Sequence, residues 1–297
     1  MSALLELDGC TKVYRVGSFG TRRLTAVSDV SFDVQAGEVV SLIGESGSGK
    51  STIGRMILRL SPVTSGTIRL KGDDVSTYSD HRLKAYYRHA QGVFQDPFSS
   101  YNPVYKADRV LELVKIAYFA HVDRATWRSK IEASLEAVSL DPGQVLHKYP
   151  HQLSGGQLQR LLVARALLLD LEFLVADEII SMLDASTRID VLNLLGALKA
   201  RGLGILFITH DLSLGNYISD RTLILRRGAV VESGPTREVF GDPRHPYTRS
   251  LVAAVPHLHS KWSADATDSR TFDATPMDLV AVGPGHLHRA ADQAVEP

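Results

Sequence analysis

An α/β fold is predicted from three observations. Strand-like and helix-like runs alternate along the 297 residues. A glycine-rich run, Gly44-Glu45-Ser46-Gly47-Ser48-Gly49-Lys50-Ser51, joins a short apolar stretch to a segment with helical apolar spacing. A second apolar stretch, 173–176, ends in the adjacent acids Asp177 and Glu178.

Each element follows from its pattern. Residues 38–43, 67–70, 173–176, 204–209 and 221–225 read as strands. Residues 4–8 and 27–34 alternate apolar with polar and are expected to form an antiparallel edge layer. Residues 52–60 carry Ile53, Met56, Ile57 and Leu60 at helical spacing. Between Asp96 and Leu153 the pattern changes: 104–120 and 126–140 look helical, with no convincing strand between them. This predicts a helical insertion, closed by a turn at Asp141-Pro142-Gly143. A breaker-rich run, 242–246, precedes a polar tail expected to pack loosely, and no internal repeat is visible.

Composition narrows the function. Hydrophobic residues make up 44% and charged residues 22%, enough for a core and unlike a disordered chain. Lys+Arg and Asp+Glu balance at 33 each, which argues against bulk nucleic-acid binding. Cys10 is the single cysteine, so an internal disulfide and a four-cysteine metal site are excluded, and a reducing compartment is expected. No signal peptide is visible, since residues 1–10 contain Glu6 and Asp8 and lack a basic start, and no membrane-spanning run is visible, since Arg165, Asp170 and Glu172 break the most apolar stretch. Any membrane role is therefore expected to come through a partner.

The glycine run matches the phosphate-binding loop G-x-x-x-x-G-K-[ST]. Glycines let backbone N–H groups turn toward phosphate oxygens, and the following helix presents its positive end to the same anion. Gly44, Ser46, Gly47, Gly49 and Thr52 are the candidate ATP cradle. Lys50 is the candidate for the β- and γ-phosphates, and the Ser51 hydroxyl for Mg²⁺. Acids at the end of a buried strand sit where α/β folds bind ligands. Asp177 then holds Mg²⁺ and Glu178 polarises the attacking water; the alternative is a strand that simply stops at charges.

Leu153-Ser154-Gly155-Gly156-Gln157 resembles the signature run of ATP-binding cassette (ABC) proteins. Taken structurally, Ser154 is an N-cap, which accounts for the serine but not for the glycines or glutamine. The resemblance implies a P-loop NTPase (RecA-like) core and a two-protomer site. In it, Ser154, Gly155, Gly156, Gln157 and Asp184 of one protomer face ATP bound by the loop of another. It further implies that Gln95, after 92–94, senses Mg²⁺ and the γ-phosphate, that His210, after 205–209, contacts the γ-phosphate, and that Tyr14 stacks on adenine. Read alone, Gln95 and His210 are solvated loop residues and Tyr14 is an ordinary strand tyrosine.

Three further runs resemble ATP-binding subunits of the oligopeptide/dipeptide/nickel class of bacterial importers. They are 93–103, Glu238-Val239-Phe240 with His245-Pro246-Tyr247-Thr248-Arg249, and Pro284-Gly285-His286. The resemblance implies a nucleotide-binding domain over 1–245, with a helical subdomain about 96–160, and a C-terminal extension over 246–297. It also implies an ATPase at the cytoplasmic face of the inner membrane. Its expected partners are two permease subunits, a second related ATP-binding subunit and, indirectly, a substrate-binding protein, with no nucleic acid. Peptide is the default cargo; oligosaccharide and nickel chelate are alternatives. Soluble ABC ATPases of translation or DNA repair are the alternative class, disfavoured by a single cassette without long coiled coils.

Two departures stand out. Ile179-Ile180 replaces proline and a small or β-branched residue, and Leu158 replaces a commonly basic one. Some relatives hold an iron–sulfur cluster on C-terminal cysteines; this tail has none, so no cluster is expected. The pairs His257/His259 and His286/His288 could ligate a metal, but without cysteines that reading is the weaker one.

Overall fold

The computed structural model describes residues 3–17, 21–181, 183–254, 279–283 and 285–289. The chain begins with β1 (Leu5–Val16), β2 (Arg22–Val34), β3 (Val39–Ile43), α1 (Lys50–Ile57), β4 (Ser65–Leu70) and β5 (Asp73–Asp74). Then come α2 (Asp80–His89), β6 (Ala90–Val93), α3 (Arg109–Tyr118), α4 (Arg124–Ala137), α5 (Pro142–Val145) and α6 (Gly155–Leu167). They are followed by β7 (Phe173–Asp177), α7 (Ala185–Ala200), β8 (Gly204–Thr209), α8 (Leu212–Ile218) and β9 (Arg221–Arg226). The last elements are β10 (Ala229–Pro235), α9 (Thr236–Gly241), α10 (Pro246–Ala253), β11 (Leu279–Gly283) and β12 (His286–Arg289). The fold is α/β, in two compact units: Met1–Tyr78 with Leu206–Pro297, and Ser79–Ile205.

In the first unit, β2, β1, β4 and β5 form an antiparallel sheet in that order. Leu5 pairs with Val34 on one side and Leu70 on the other. The edge layer predicted over 4–8 and 27–34 is thus present, with longer strands. β3 belongs to a second sheet, parallel to β9, with Val40 opposite Arg221 and Ile43 opposite Ile224. All five β3 residues are buried, as an apolar run covered on both faces should be. Its one hydroxyl, Ser41, bonds Thr222 at 2.8 Å, and Thr222 bonds Thr236 at 3.0 Å, so the polar atoms inside this layer are satisfied.

β10 pairs antiparallel with β9, and β12 pairs with β10 through Glu232↔His288. For residues 279–283 and 285–289 this corrects the expectation of a loosely packed tail. The β11–β12 hairpin is part of the sheet and His286 is only 4% exposed. The apolar run of β11 is visible in the sequence, but β12 has no such pattern, because a buried contact between His286 and Glu232 takes the place of apolar burial. His257, His259 and Pro284 lie outside the described residues.

In the second unit, β6 runs parallel to β7, Ala90 opposite Phe173 and Val93 opposite Ala176. The helix expected over 104–120 begins at Arg109 instead. An Asx turn, with Val104 N–H donating to Asn102 Oδ1 at 3.0 Å, holds the preceding residues off the helix. Asp123 caps α4 by accepting from Ala125 and Thr126 N–H. Ser139, at φ 53°, ends this segment ahead of 140. The turn at 141–143 opens α5, with Asp141 accepting from Gly143 N–H.

Candidate functional site

The first unit carries the phosphate loop. β3 leads directly into Gly44, where a Cβ would lie 2.1 Å from the Leu225 carbonyl oxygen. At Gly49, with φ 107°, a Cβ would lie 2.4 Å from the Ala26 carbonyl oxygen. Both positions admit only glycine, because no side chain tolerates that backbone approach. Gly228 N–H donates to the Ser48 carbonyl at 2.8 Å, and Glu45 N–H donates to the Tyr247 hydroxyl at 3.2 Å.

Lys50 is the first residue of α1 and only 5% exposed. Its ammonium donates to the carbonyls of Gly44 and Glu45 at 2.7 and 2.8 Å, arching over the loop. The Ser48 hydroxyl is buried without a hydrogen-bond partner among the described residues. Gly47 has no heavy atom within 4 Å of its Cβ direction. An orphaned buried hydroxyl, a buried ammonium and open space at a helix N-terminus suit a phosphate group. Ser46 and Gly47 are exposed, and Ser51 and Thr52 half-buried, in the first turn of α1.

Two more predicted residues lie in this unit. His210 is exposed, one residue past β8, where Asp211 N–H donates to Thr209 Oγ1 at 3.0 Å and Asp211 caps α8. Tyr14 is half-buried on β1, with the Lys12 ammonium 5.0 Å from its ring centroid.

The second unit carries the remaining candidates. β7 is buried throughout and ends at Asp177. Glu178 follows at φ 50°, in the left-handed region that a non-glycine residue occupies only at a cost. Its carbonyl accepts from the Ser181 hydroxyl at 2.9 Å. Ile179 and Ile180, the departure in sequence, are each 1% exposed, so their bulk is absorbed by the core. Leu158, the other departure, is fully buried. Met182, in the run 181–184 that ends at Asp184, lies outside the described residues.

Ser154 and Gln157 form a capping box at the start of α6: Gln157 N–H donates to Ser154 Oγ at 3.2 Å and Ser154 N–H to Gln157 Oε1 at 2.9 Å. The N-cap therefore accounts for the glutamine as well as the serine, a correction to the sequence reading. Packing accounts for Gly156, where a Cβ would lie 2.4 Å from Thr187 Cγ2. Gly155 has no such constraint; its nearest neighbour is 4.0 Å away. Asp184 caps α7 by accepting from Ser186 Oγ, Thr187 N–H and Thr187 Oγ1. The hydroxyl of Ser186, then the amide of Thr187, hold its carboxyl down to about 2.

Gln95 is exposed, two residues past β6. The strand before it is held from α6: Gln159 Nε2 donates to the Phe94 carbonyl at 3.3 Å, and the Arg165 guanidinium to Gln91 Oε1 and the Gly92 carbonyl. Neither Gln159 nor Arg165 was expected from the sequence to hold this strand; Arg165 stood there only as a break in an apolar stretch. Polar residues on an otherwise apolar helix face were the available signal. Among the described residues no group of three or more His, Cys, Asp or Glu could hold a metal, and His286 Nε2 is engaged by Glu232 at 2.8 Å. Ser51 in the first unit, and Gln95 and Asp177 in the second, each carry an oxygen donor of the kind that hard cations take. No described helix is long and apolar enough to cross a membrane.

A buried strand, a glycine cradle and a lysine-headed helix define a P-loop nucleotide-binding protein. The family described as ABC transporter matches residues 27–181, and the one described as oligopeptide/dipeptide transporter, C-terminal region, matches residues 231–277. A Brucella ovis protein named "putative peptide import ATP-binding protein" is 42% identical over 255 residues, 85% of this chain and 78% of that protein. The oligopeptide transport ATP-binding protein OppF of Bacillus subtilis is 41% identical over 274 residues, 88% of each chain. Among solved structures, the dimeric post-hydrolysis state of the ATP-binding cassette MJ0796 bound to ADP and Pi aligns with TM-score 0.70. It is 28% identical and covers 78% of this chain and 99% of its own. The chain belongs to the ABC transporter family and is an ATPase of that family.

Proposed function

We propose that this chain is the ATP-hydrolysing motor of an importer whose cargo is a peptide. The observation that carries the cargo class is the match of residues 231–277 to the oligopeptide/dipeptide transporter C-terminal region. The names of the Brucella and Bacillus relatives support it. Residues 1–245 form the nucleotide-binding domain, with a helical subdomain about 96–160, and 246–297 the C-terminal extension.

The site residues take these roles. Gly44, Ser46, Gly47, Gly49 and Thr52 surround the phosphates with backbone N–H groups and hydroxyls. Lys50 neutralises charge on the β- and γ-phosphates. Tyr14 stacks on adenine. Ser51, Gln95 and Asp177 hold Mg²⁺, which supplies charge neutralisation at the phosphates when bound. Glu178 accepts a proton from the water that attacks the γ-phosphorus; the bond to the β-bridging oxygen breaks, and ADP and phosphate leave. His210 hydrogen-bonds the γ-phosphate. Ser154, Gly155, Gly156, Gln157 and Asp184 complete the site of a second cassette. Gly155 is the best supported of these, because packing and capping account for Gly156, Ser154 and Gln157.

Closure of two cassettes on ATP moves two permease subunits, and hydrolysis reopens them. The partner cassette is a related chain, giving a heterodimer, and a substrate-binding protein acts indirectly. The complex sits peripherally at the cytoplasmic face of the inner membrane and engages no nucleic acid. The test is a pull-down of the tagged chain from detergent-solubilised membranes, with every co-purifying chain identified. Two permeases and a second cassette are expected. Ribosomes or DNA-repair proteins would overturn the transporter assignment in favour of a soluble ATPase. Reconstituted ATPase stimulated by nickel chelates or oligosaccharides, and not by peptides, would overturn the cargo.

A further inference from the structure

Glu45 is the second residue of the phosphate loop. Its N–H donates to the hydroxyl of Tyr247, a residue 202 positions later on α10. The Tyr247 ring is fixed by burial with Ile43, Ile224, Val231 and Val239, and by the Arg226 guanidinium 4.7 Å from its centroid.

The start of α10 is fixed in turn. His245 Nδ1 caps it by accepting from Tyr247 N–H at 3.1 Å. The N–H groups of Arg244 and His245 donate to the two oxygens of Glu232 at 2.8 and 2.9 Å. Glu232 is fully buried on β10, and His286 Nε2 of β12 lies 2.8 Å from its Oε1. A buried carboxylate held by several donors has one position, so hydrogen bonds run unbroken from the C-terminal hairpin to the phosphate loop.

We propose that Tyr247 is a positioning residue for the phosphate loop: its hydroxyl orients the Glu45 amide, and the Glu232–His286 pair sets the helix that carries it. A glycine-rich loop loses much conformational entropy when it orders around a ligand. A hydrogen bond that orders it beforehand raises affinity without touching the ligand. The inference rests on the assignment of residues 44–51 to ATP phosphates.

The experiment is calorimetric titration of the full chain with MgATP, alongside Tyr247→Phe, which keeps the ring, its cluster and its contact with Arg226 while removing the hydroxyl. The expected result is a Kd for ATP raised about three- to tenfold, with the melting temperature unchanged. His286→Ala is expected to raise the Kd in the same direction, and His286→Gln, which keeps a donor toward Glu232, to restore it. Tyr247→Phe binding ATP as tightly as the parent chain overturns the inference. Lys50→Ala binding as tightly as the parent is a different result: it overturns the phosphate-loop assignment and the inference with it.

Discussion

Gly156 and Thr187 meet with no room for a side chain between them: a Cβ on Gly156 would lie 2.4 Å from Thr187 Cγ2. The contact sets the first turn of α6 against the first turn of α7. Each turn is separately capped, by Ser154 and by Asp184. Thr187 cannot turn away freely, because its hydroxyl donates to Asp184 Oδ2 at 2.9 Å.

Gly156→Ala is therefore expected to cost about 1–3 kcal/mol by overpacking. Adding Thr187→Ser removes the offending methyl, keeps the hydroxyl and should restore most of that loss. Urea unfolding of the two variants and the double variant measures both quantities; simple additivity would show that the contact is not the cause. Gly155→Ala should stay within about 0.5 kcal/mol of the parent, yet reduce turnover in the assembled transporter.

Glu178 combines a proposed role as base with a left-handed backbone. Glu178→Gln should lower the rate of hydrolysis by at least about 10²-fold and leave ATP binding intact. Glu178→Gly should lose hydrolysis equally, while matching or exceeding the parent in melting temperature, since glycine relieves a backbone strain of about 1–3 kcal/mol. Phosphate release and thermal melts decide both; hydrolysis at the parent rate by either variant removes Glu178 from the mechanism.

Gln159 is 1% exposed, and its Oε1 has no hydrogen-bond partner among the described residues while its Nε2 holds the Phe94 carbonyl. Replacing it with Leu removes one unsatisfied buried atom along with the tie, so stability should shift by less than about 1 kcal/mol. Turnover should fall severalfold with little change in the KM for ATP, because the residues leading into Gln95 lose their anchor. An unaltered kcat would show that the tie serves packing alone.

Burial, ahead of the charges of Arg226, His288 and Arg289, holds the His245 imidazole down to about 4, while Glu232 pulls the other way. The unfolded chain takes up a proton below its ordinary 6.5, and the folded chain does so only near 4. The stability contributed by the neutral ring is full above pH 6.5 and is lost as pH falls from 6.5 to 4, by about 3 kcal/mol in all. His245→Asn keeps a capping acceptor without a titrating ring. Urea midpoints across that range should fall less steeply for this variant; parallel curves would rule His245 out as their source.

The sequence by itself determined the α/β class, the phosphate loop and the acidic end of β7. These are local statements: glycine spacing, a lysine at a helix start, an apolar run of strand length. Its limits appear where a residue's neighbour is remote in sequence. The capping box could be read from Ser154 and Gln157, but the need for Gly156 depends on Thr187, which only packing brings beside it. The place of β12 was hidden because a buried His286–Glu232 pair, not apolar periodicity, fixes it. The hydroxyl that Tyr247 lends to Glu45 was decided by tertiary structure alone. A hydrogen bond between residues 202 positions apart leaves no mark on the local pattern of either, since burial and direction, unlike composition, exist only once the chain has folded.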